Sequence, residues 1–220
     1  MRTVIFDLDG TLADTAGDLL AAANACFRDL ELGDLLSRGA DDGIAHRGGR
    51  AMLEAGFARV DGDWSEEIDR QYPRLIEYYD ADIDTHTVLY PGIREAVSRL
   101  GEMGYAVGIC TNKPETLAEK LMVSLEFREA FASLVGADTL PVRKPNPAPF
   151  IEAVRRAGGD PERACLVGDT QTDRDTAAAA GVASILVTFG PDGDEVAALA
   201  PEALLAHYDE LPGIVERLAL

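Results

Sequence analysis

An apolar run near the start of the chain, Thr3 to Phe6, breaks into Asp7-Leu8-Asp9-Gly10-Thr11. In extended backbone, residues i and i+2 share a face. Asp7 and Asp9 therefore project together, and Gly10 lets the chain turn sharply behind them. Two neighbouring carboxylates repel unless a cation or a proton lies between them, which makes the pair a metal or acid/base candidate. On its own, such a pair at a strand end is more often just a polar turn. Three further strand ends add to it. The run Tyr105 to Cys110 ends in Thr111-Asn112-Lys113-Pro114, a hydroxyl and backbone amides ahead of a helix with Pro114 near its first position; helix N-termini attract anions. Arg143-Lys144-Pro145-Asn146-Pro147 sets a lysine in a proline-stiffened loop before another helix. Cys165 to Gly168 leads into Asp169, with Asp173 four residues on. Singly, an exposed lysine is usually a solubilising charge and Asp169 usually a helix N-cap. Carboxylates, hydroxyl, lysine and carboxylates in that order, each after an apolar run, are far more specific than any one of them.

The elements that must position these groups alternate. Short apolar or β-branched runs at Thr3–Phe6, Ala106–Cys110, Ser133–Gly136, Ala164–Val167 and Ser184–Val187 are each bounded by Gly, Asp or Pro, as buried strands are. Helical spacing fills most of the gaps, at Gly92–Met103, Pro114–Ser124, Ala148–Ala157 and Thr172–Ala180. Strands alternating with helices give a parallel α/β sheet covered on both faces, whose ligands lie beyond the carboxyl ends of the strands. From about Asp14 to about Asp84 the alternation stops. Three helical stretches, near Thr15–Leu32, Ile44–Val60 and Ser65–Ala81, replace it, the first with Asp14 or Thr15 as N-cap. The expectation is an α/β core over 1–13 and 85–220 with a helical domain, 14–84, inserted after the first strand.

Composition limits the function classes. The chain has 220 residues, 47 % apolar and 27 % charged, an ordinary globular balance. Its 39 acidic residues against 20 Lys and Arg give a formal charge of −19, a field that repels phosphate backbones and anionic lipid. Nucleic-acid and membrane partners are therefore disfavoured, and a site for a small anionic substrate must be locally basic. Only Lys113, Lys120 and Lys144 are lysines, which gives each of them weight. Three cysteines, Cys26, Cys110 and Cys165, fit no paired disulfide framework and no metal spacing. The N-terminus reaches a carboxylate at position 7, which excludes the apolar core of a signal peptide there. A cytoplasmic protein is expected.

FDLDGTLADT, the Thr111-Asn112 pair after YAVGIC, RKPNP and VGDTQTD resemble the four motifs of the haloacid dehalogenase superfamily, and the resemblance spans essentially the whole chain. It implies a Rossmann-like parallel sheet core with an inserted α-helical cap. Within the superfamily, Asp14-Thr15-Ala16-Gly17-Asp18-Leu19 with Asn24 is most similar to the phosphoglycolate phosphatases. The resemblance implies Asp7 as a nucleophile that forms an aspartyl-phosphate, and Asp9 as general acid and then general base. It implies Mg²⁺ held by Asp7, the Asp9 carbonyl, Asp169 and Asp173, the last directly or through water. Thr111 and Asn112 would hold phosphoryl oxygens, and Lys144 would neutralise charge on the phosphoryl group and on Asp7. The substrate it implies is a small phosphomonoester, foremost 2-phosphoglycolate, handled by a monomer or homodimer.

Single residues separate the relatives. Haloacid dehalogenases lack the second aspartate of the first motif, present here as Asp9. Phosphonoacetaldehyde hydrolases use a cap lysine, and no lysine lies between Asp14 and Thr85. β-Phosphoglucomutases carry a histidine where this chain has Leu19. In the inserted segment, His46-Arg47-Gly48-Gly49-Arg50 offers Arg47 and Arg50 as a clamp for a substrate carboxylate, or simply as a solvated basic patch. Hydrolysis of a sugar phosphate or a pyrophosphate, and a catalytically silent binding protein on the same scaffold, are the alternatives.

Overall fold

A computed structural model of the protein describes residues 1–218. Ala219 and Leu220, the last positions of the core expected over 85–220, lie outside the described residues. The first elements are β1 (Thr3–Phe6), β2 (Ala13–Asp14), α1 (Ala16–Asp29), α2 (Asp42–Ala45), α3 (Gly49–Phe57), α4 (Ser65–Ala81) and β3 (Val88–Leu89). Then come α5 (Ile93–Glu102), β4 (Ala106–Cys110), α6 (Glu115–Ser124), β5 (Ser133–Val135) and α7 (Ala148–Arg156). The chain finishes with β6 (Ala164–Gly168), α8 (Gln171–Ala180), β7 (Ala183–Val187), β8 (Ala203–Leu205) and α9 (Leu211–Arg217). Contacts divide it into two compact units, Met1–Ala13 with Leu89–Leu220, and Asp14–Val88. Among the described residues no helix is long and apolar enough to cross a membrane.

The first unit is the expected α/β fold. Six parallel strands lie in the order β5-β4-β1-β6-β7-β8. β1, β4 and β6 are buried along their whole length, as their unbroken apolar sequences require. Helix α7 packs on β1, β4 and β5, beside α8 on β6 and β7. Between them Ile5, Cys110, Val135, Phe150, Val154, Leu166 and Ala177 form one apolar cluster. Gly108 is needed at that layer, because a Cβ there would lie 2.2 Å from Ser133 Oγ. Strand β8 was not expected: its Ala-Leu-Leu is too short for its sequence to stand out as a strand, and the β7 edge supplies its pairing. Pro114, expected within the first helical turn, stands one residue earlier as the N-cap of α6, with extended backbone.

The second unit is helical. α1 packs on α2, α3 and α4, and α3 on α4. Phe27, Phe57 and Trp64 form its aromatic centre, edge-on and then stacked, with ring centroids 5.1 Å apart in each pair. The helix expected over Ile44–Val60 is broken in two. Gly48, at φ +94° and ψ 167°, occupies backbone closed to other residues and separates α2 from α3. Buried Asp18 accepts the backbone N–H groups of His86 and Thr87 and the Thr87 hydroxyl, at 2.7–3.0 Å, and so fastens the segment leaving the unit to α1.

Candidate active site

Sheet register brings the motif residues together. Phe6 pairs with Ile109 of β4 and Val167 of β6, so Asp7 follows beside Cys110 and Gly168. Thr111 and Asp169 come one residue further out. From β1 the chain first builds the sheet towards β4 and β5, then returns to build β6, β7 and β8 on the other side. The reversal falls between β1 and β6, where open α/β sheets hold their ligands. Asp7 and Asp169 stand at the ends of those two strands.

Asp7, Asp169 and Asp173 each bring a carboxylate oxygen within 4.8 Å of the others. Asp173 is on the first turn of α8. Its Oδ2 accepts from the Thr170 hydroxyl at 2.8 Å and from the Thr170 and Asp169 N–H groups at 3.2 and 3.3 Å. Its Oδ1 accepts from Lys144 Nζ at 2.6 Å, and Lys144 also lies 3.1 Å from Asp7 Oδ1. A side chain at Gly168 would put its Cβ 2.3 Å from Asp173 Cγ, so only glycine lets the carboxylate lie there. Asp169 Oδ1 accepts from the Thr11 hydroxyl at 3.0 Å, and the Thr11 carbonyl accepts from buried Tyr208 at 2.6 Å. Asp169 Oδ2 is buried with no hydrogen-bond partner.

The energetics of this cluster are those of anions short of cations. Burial pushes the Asp7 carboxyl up to about 6; Lys144 opposes the rise and Asp173 and Asp9 add to it. Asp169 is raised well above the usual carboxylate range by burial, then by Asp173 and Asp7. Burial alone would lower the Lys144 ammonium, but Asp173 and Asp7 beside it raise it above the ordinary lysine value. An orphaned buried carboxylate oxygen facing two more carboxylates fits a hard divalent cation, which takes oxygen ligands. Asp7, Asp169 and Asp173 are the side chains able to hold one.

Thr111 and Asn112 lie at the end of β4. The Thr111 hydroxyl accepts the Lys113 N–H at 3.1 Å, and the Asn112 amide donates to the Lys144 carbonyl at 3.0 Å, tying the two loops together. Asp9 is not part of the carboxylate cluster. Its Oδ1 accepts from Lys113 Nζ at 2.7 Å. Three residues of this neighbourhood were not singled out from sequence: Thr11, Gly168 and Lys113. Lys113 had a signal, since it is one of three lysines and follows Thr111-Asn112 directly.

In the helical unit Arg47 is exposed, and exposed Arg50 forms an ion pair with Asp69 of α4. The residues most similar to phosphoglycolate phosphatases have structural partners there. Asp14 accepts two hydrogen bonds from Arg38 at 2.8 and 3.1 Å, Asp18 holds residues 86–87, and Asn24 bonds the backbone of Leu35 and Leu36.

Comparison with known proteins bears on the family and the fold. The family model described as haloacid dehalogenase-like hydrolase matches residues 4–187. A phosphoglycolate phosphatase of Mesorhizobium japonicum is 40 % identical over 217 residues, covering 98 % of this chain and 95 % of its own. One from Agrobacterium fabrum is 35 % identical over 219 residues, covering 97 % and 92 %. Among solved structures, a haloacid dehalogenase-like hydrolase of Streptococcus pneumoniae superposes with a TM-score of 0.79 at 21 % identity, covering 97 % of both chains. A superfamily hydrolase of Geobacter sulfurreducens gives 0.73 at 26 % identity, covering 98 % of this chain and 96 % of that one. By sequence and by fold, the chain belongs to the haloacid dehalogenase-like hydrolases.

Proposed function

We propose that the protein is a Mg²⁺-dependent phosphatase of small phosphomonoesters, acting on 2-phosphoglycolate through an aspartyl-phosphate. The observation that carries this is the convergence of Asp7, Asp169 and Asp173 at the sheet's reversal point, with Lys144 against two of them. An Asp7 oxygen attacks phosphorus as the ester P–O bond breaks, and the Asp9 carboxyl gives its proton to the departing alkoxide. The same Asp9, now a carboxylate, takes a proton from the water that attacks the aspartyl-phosphate, releasing inorganic phosphate and free Asp7. Thr111 and the Asn112 amide hold phosphoryl oxygens, and Lys144 neutralises charge shared by Asp7 and the phosphoryl group. Asp7, the Asp9 carbonyl and Asp169 would hold Mg²⁺, with Asp173 directly or through water. When bound, the ion stabilises the negative charge gathered on the phosphoryl oxygens.

The helical unit sets specificity in this reading, and its exposed Arg47 and Arg50 are candidate partners for a substrate carboxylate. Three buried cysteines free of disulfide bonds suit a cytoplasmic setting, and the −19 charge suits a protein without nucleic-acid or membrane partners, monomeric or homodimeric. The test is a panel of phosphorylated metabolites compared by kcat/KM with and without Mg²⁺. Highest kcat/KM for 2-phosphoglycolate supports the reading. A higher value for a sugar phosphate or pyrophosphate overturns the substrate, and Mg²⁺-independent turnover overturns the mechanism.

A further inference from the structure

Lys113 is a lysine whose charge the mechanism above does not use. Its side chain is 4 % exposed and faces Asp9, whose side chain is 18 % exposed. The other site ammonium, Lys144, lies deeper, at 1 % exposure, between Asp173 and Asp7. The Lys113–Asp9 pair is the more exposed of the two. Its backbone is fixed on both sides: Lys113 N–H donates to the Thr111 hydroxyl, and its carbonyl accepts from Ala137 N–H at 2.9 Å. The ammonium is thus built into the loop that is read as holding the phosphoryl group.

The connectivity of the substrate says what this cation is for. In 2-phosphoglycolate the carboxylate is two bonds from the ester oxygen, and that oxygen is the atom Asp9 must reach. A cation that receives the carboxylate has to stand next to Asp9, and Lys113 Nζ stands 2.7 Å from Asp9 Oδ1. Once Asp9 turns to the ester oxygen, the ammonium gives up that carboxylate and can take another anion in its place. A carboxylate on the adjacent carbon supplies it.

We propose that Lys113 is a specificity-determining residue that receives an anionic group carried two bonds from the ester oxygen, exchanging its contact with Asp9 for the substrate carboxylate. This rests on the phosphatase reading above. It selects phosphoric esters of 2-hydroxy acids as a class over neutral alkyl and sugar phosphates. It also places the final carboxylate contact in the α/β unit and not at Arg47 or Arg50.

The test compares 2-phosphoglycolate with ethyl phosphate, which has the same chain length without the charge, in the wild type, Lys113→Met, Lys113→Arg and Arg47→Ala. Lys113→Met also removes the partner of Asp9, so both esters are expected to slow; the readout is the ratio of their kcat/KM values. That ratio should fall about ten- to a hundredfold, the worth of a charge-assisted contact, with the extra loss in KM, and Lys113→Arg should restore part of it. Binding gives a second readout free of turnover. 3-Phosphonopropionate, in which a methylene replaces the ester oxygen, should lose about tenfold or more in affinity in Lys113→Met relative to propylphosphonate, which lacks the carboxylate. An unchanged ratio in Lys113→Met overturns the proposal, as does a selective loss confined to Arg47→Ala. A wild type that hydrolyses neither ester overturns the phosphatase reading instead. In that case, carboxylate-selective binding of 3-phosphonopropionate that depends on Lys113 still supports the Lys113 assignment, and its absence overturns that too.

Discussion

Asp7 and Asp9 are two residues apart in the chain and face different cations. Asp7 is held by Lys144 inside the carboxylate cluster, whereas Asp9 is held by Lys113 outside it. Their variants should differ accordingly. Asp7→Asn replaces the nucleophile with an amide that cannot form an acyl-phosphate, and also removes a cluster ligand. Its kcat should fall on the order of 10³-fold or more while circular dichroism stays native, since the side chain sits at a strand end and not in the core. Retention of more than a few per cent of activity would rule out the covalent route. Asp9→Asn should keep Mg²⁺ affinity, because its proposed contact with the ion is a backbone carbonyl. Its rate should fall by about 10²–10⁴-fold for alkyl esters, which need the acid, and less for p-nitrophenyl phosphate, whose leaving group does not. Equal losses on the two esters would count against the general-acid role. At this scale the sequence was most informative where chemistry requires a residue type at a strand end, as at Asp7 and Asp169, or in the loop ahead of a helix, as at Lys144. It was silent on Gly168, whose necessity comes from the approach of Asp173 across a turn, and it showed Lys113 only as a scarce residue type.

The elements were legible where burial alone specifies them. Thr3–Phe6, Ala106–Cys110 and Ser65–Ala81 have the bounds their apolar spacing gives, because each is long enough or apolar enough to declare its own period. Strand β8 depends on the β7 edge, a long-range contact that local spacing does not report. The break at Gly48 depends on one backbone conformation inside an otherwise continuous helical pattern. That break can be tested without touching any contact. A Cβ at Gly48 meets nothing within 4 Å, yet the position has φ +94°. Gly48→Ala should therefore destabilise by about 1–3 kcal/mol through backbone strain alone. Gly43→Ala, in open space inside α2 and at no positive φ, should be neutral or stabilising by up to about 1 kcal/mol. Urea midpoints for the two variants check the contrast, and equal shifts would mean that the α2–α3 break adjusts freely.

At the scale of the whole molecule, the −19 charge and the carboxylate cluster act in the same direction. Asp7 and Asp169 have pKa values raised on folding, so the folded chain binds protons more tightly than the unfolded one at these sites. The sign follows from linkage: stability present below the ordinary carboxylate value near 4 is lost as pH rises, through about 6 for Asp7 and further for Asp169. General self-repulsion of an acidic chain adds to the loss. The metal-free protein should thus melt at a lower temperature at pH 7.5 than at pH 5. A divalent cation reverses this only if it binds the folded cluster. Mg²⁺ at a hundredfold its Kd would stabilise by about 2.7 kcal/mol, or roughly 5–11 °C in Tm for a chain of this size. The gain should be larger at pH 7.5 than at pH 5, where protons compete for the same oxygens. Asp169→Asn separates site binding from screening. It removes a buried charge that repels its neighbours, so its metal-free Tm at pH 7.5 should equal or exceed the wild type's, while its response to Mg²⁺ disappears. Sodium chloride at matched ionic strength relieves general repulsion in both proteins alike. If it reproduces the Mg²⁺ effect, or if Asp169→Asn keeps the full response, the three aspartates at the ends of β1 and β6 and on α8 are not where the cation binds.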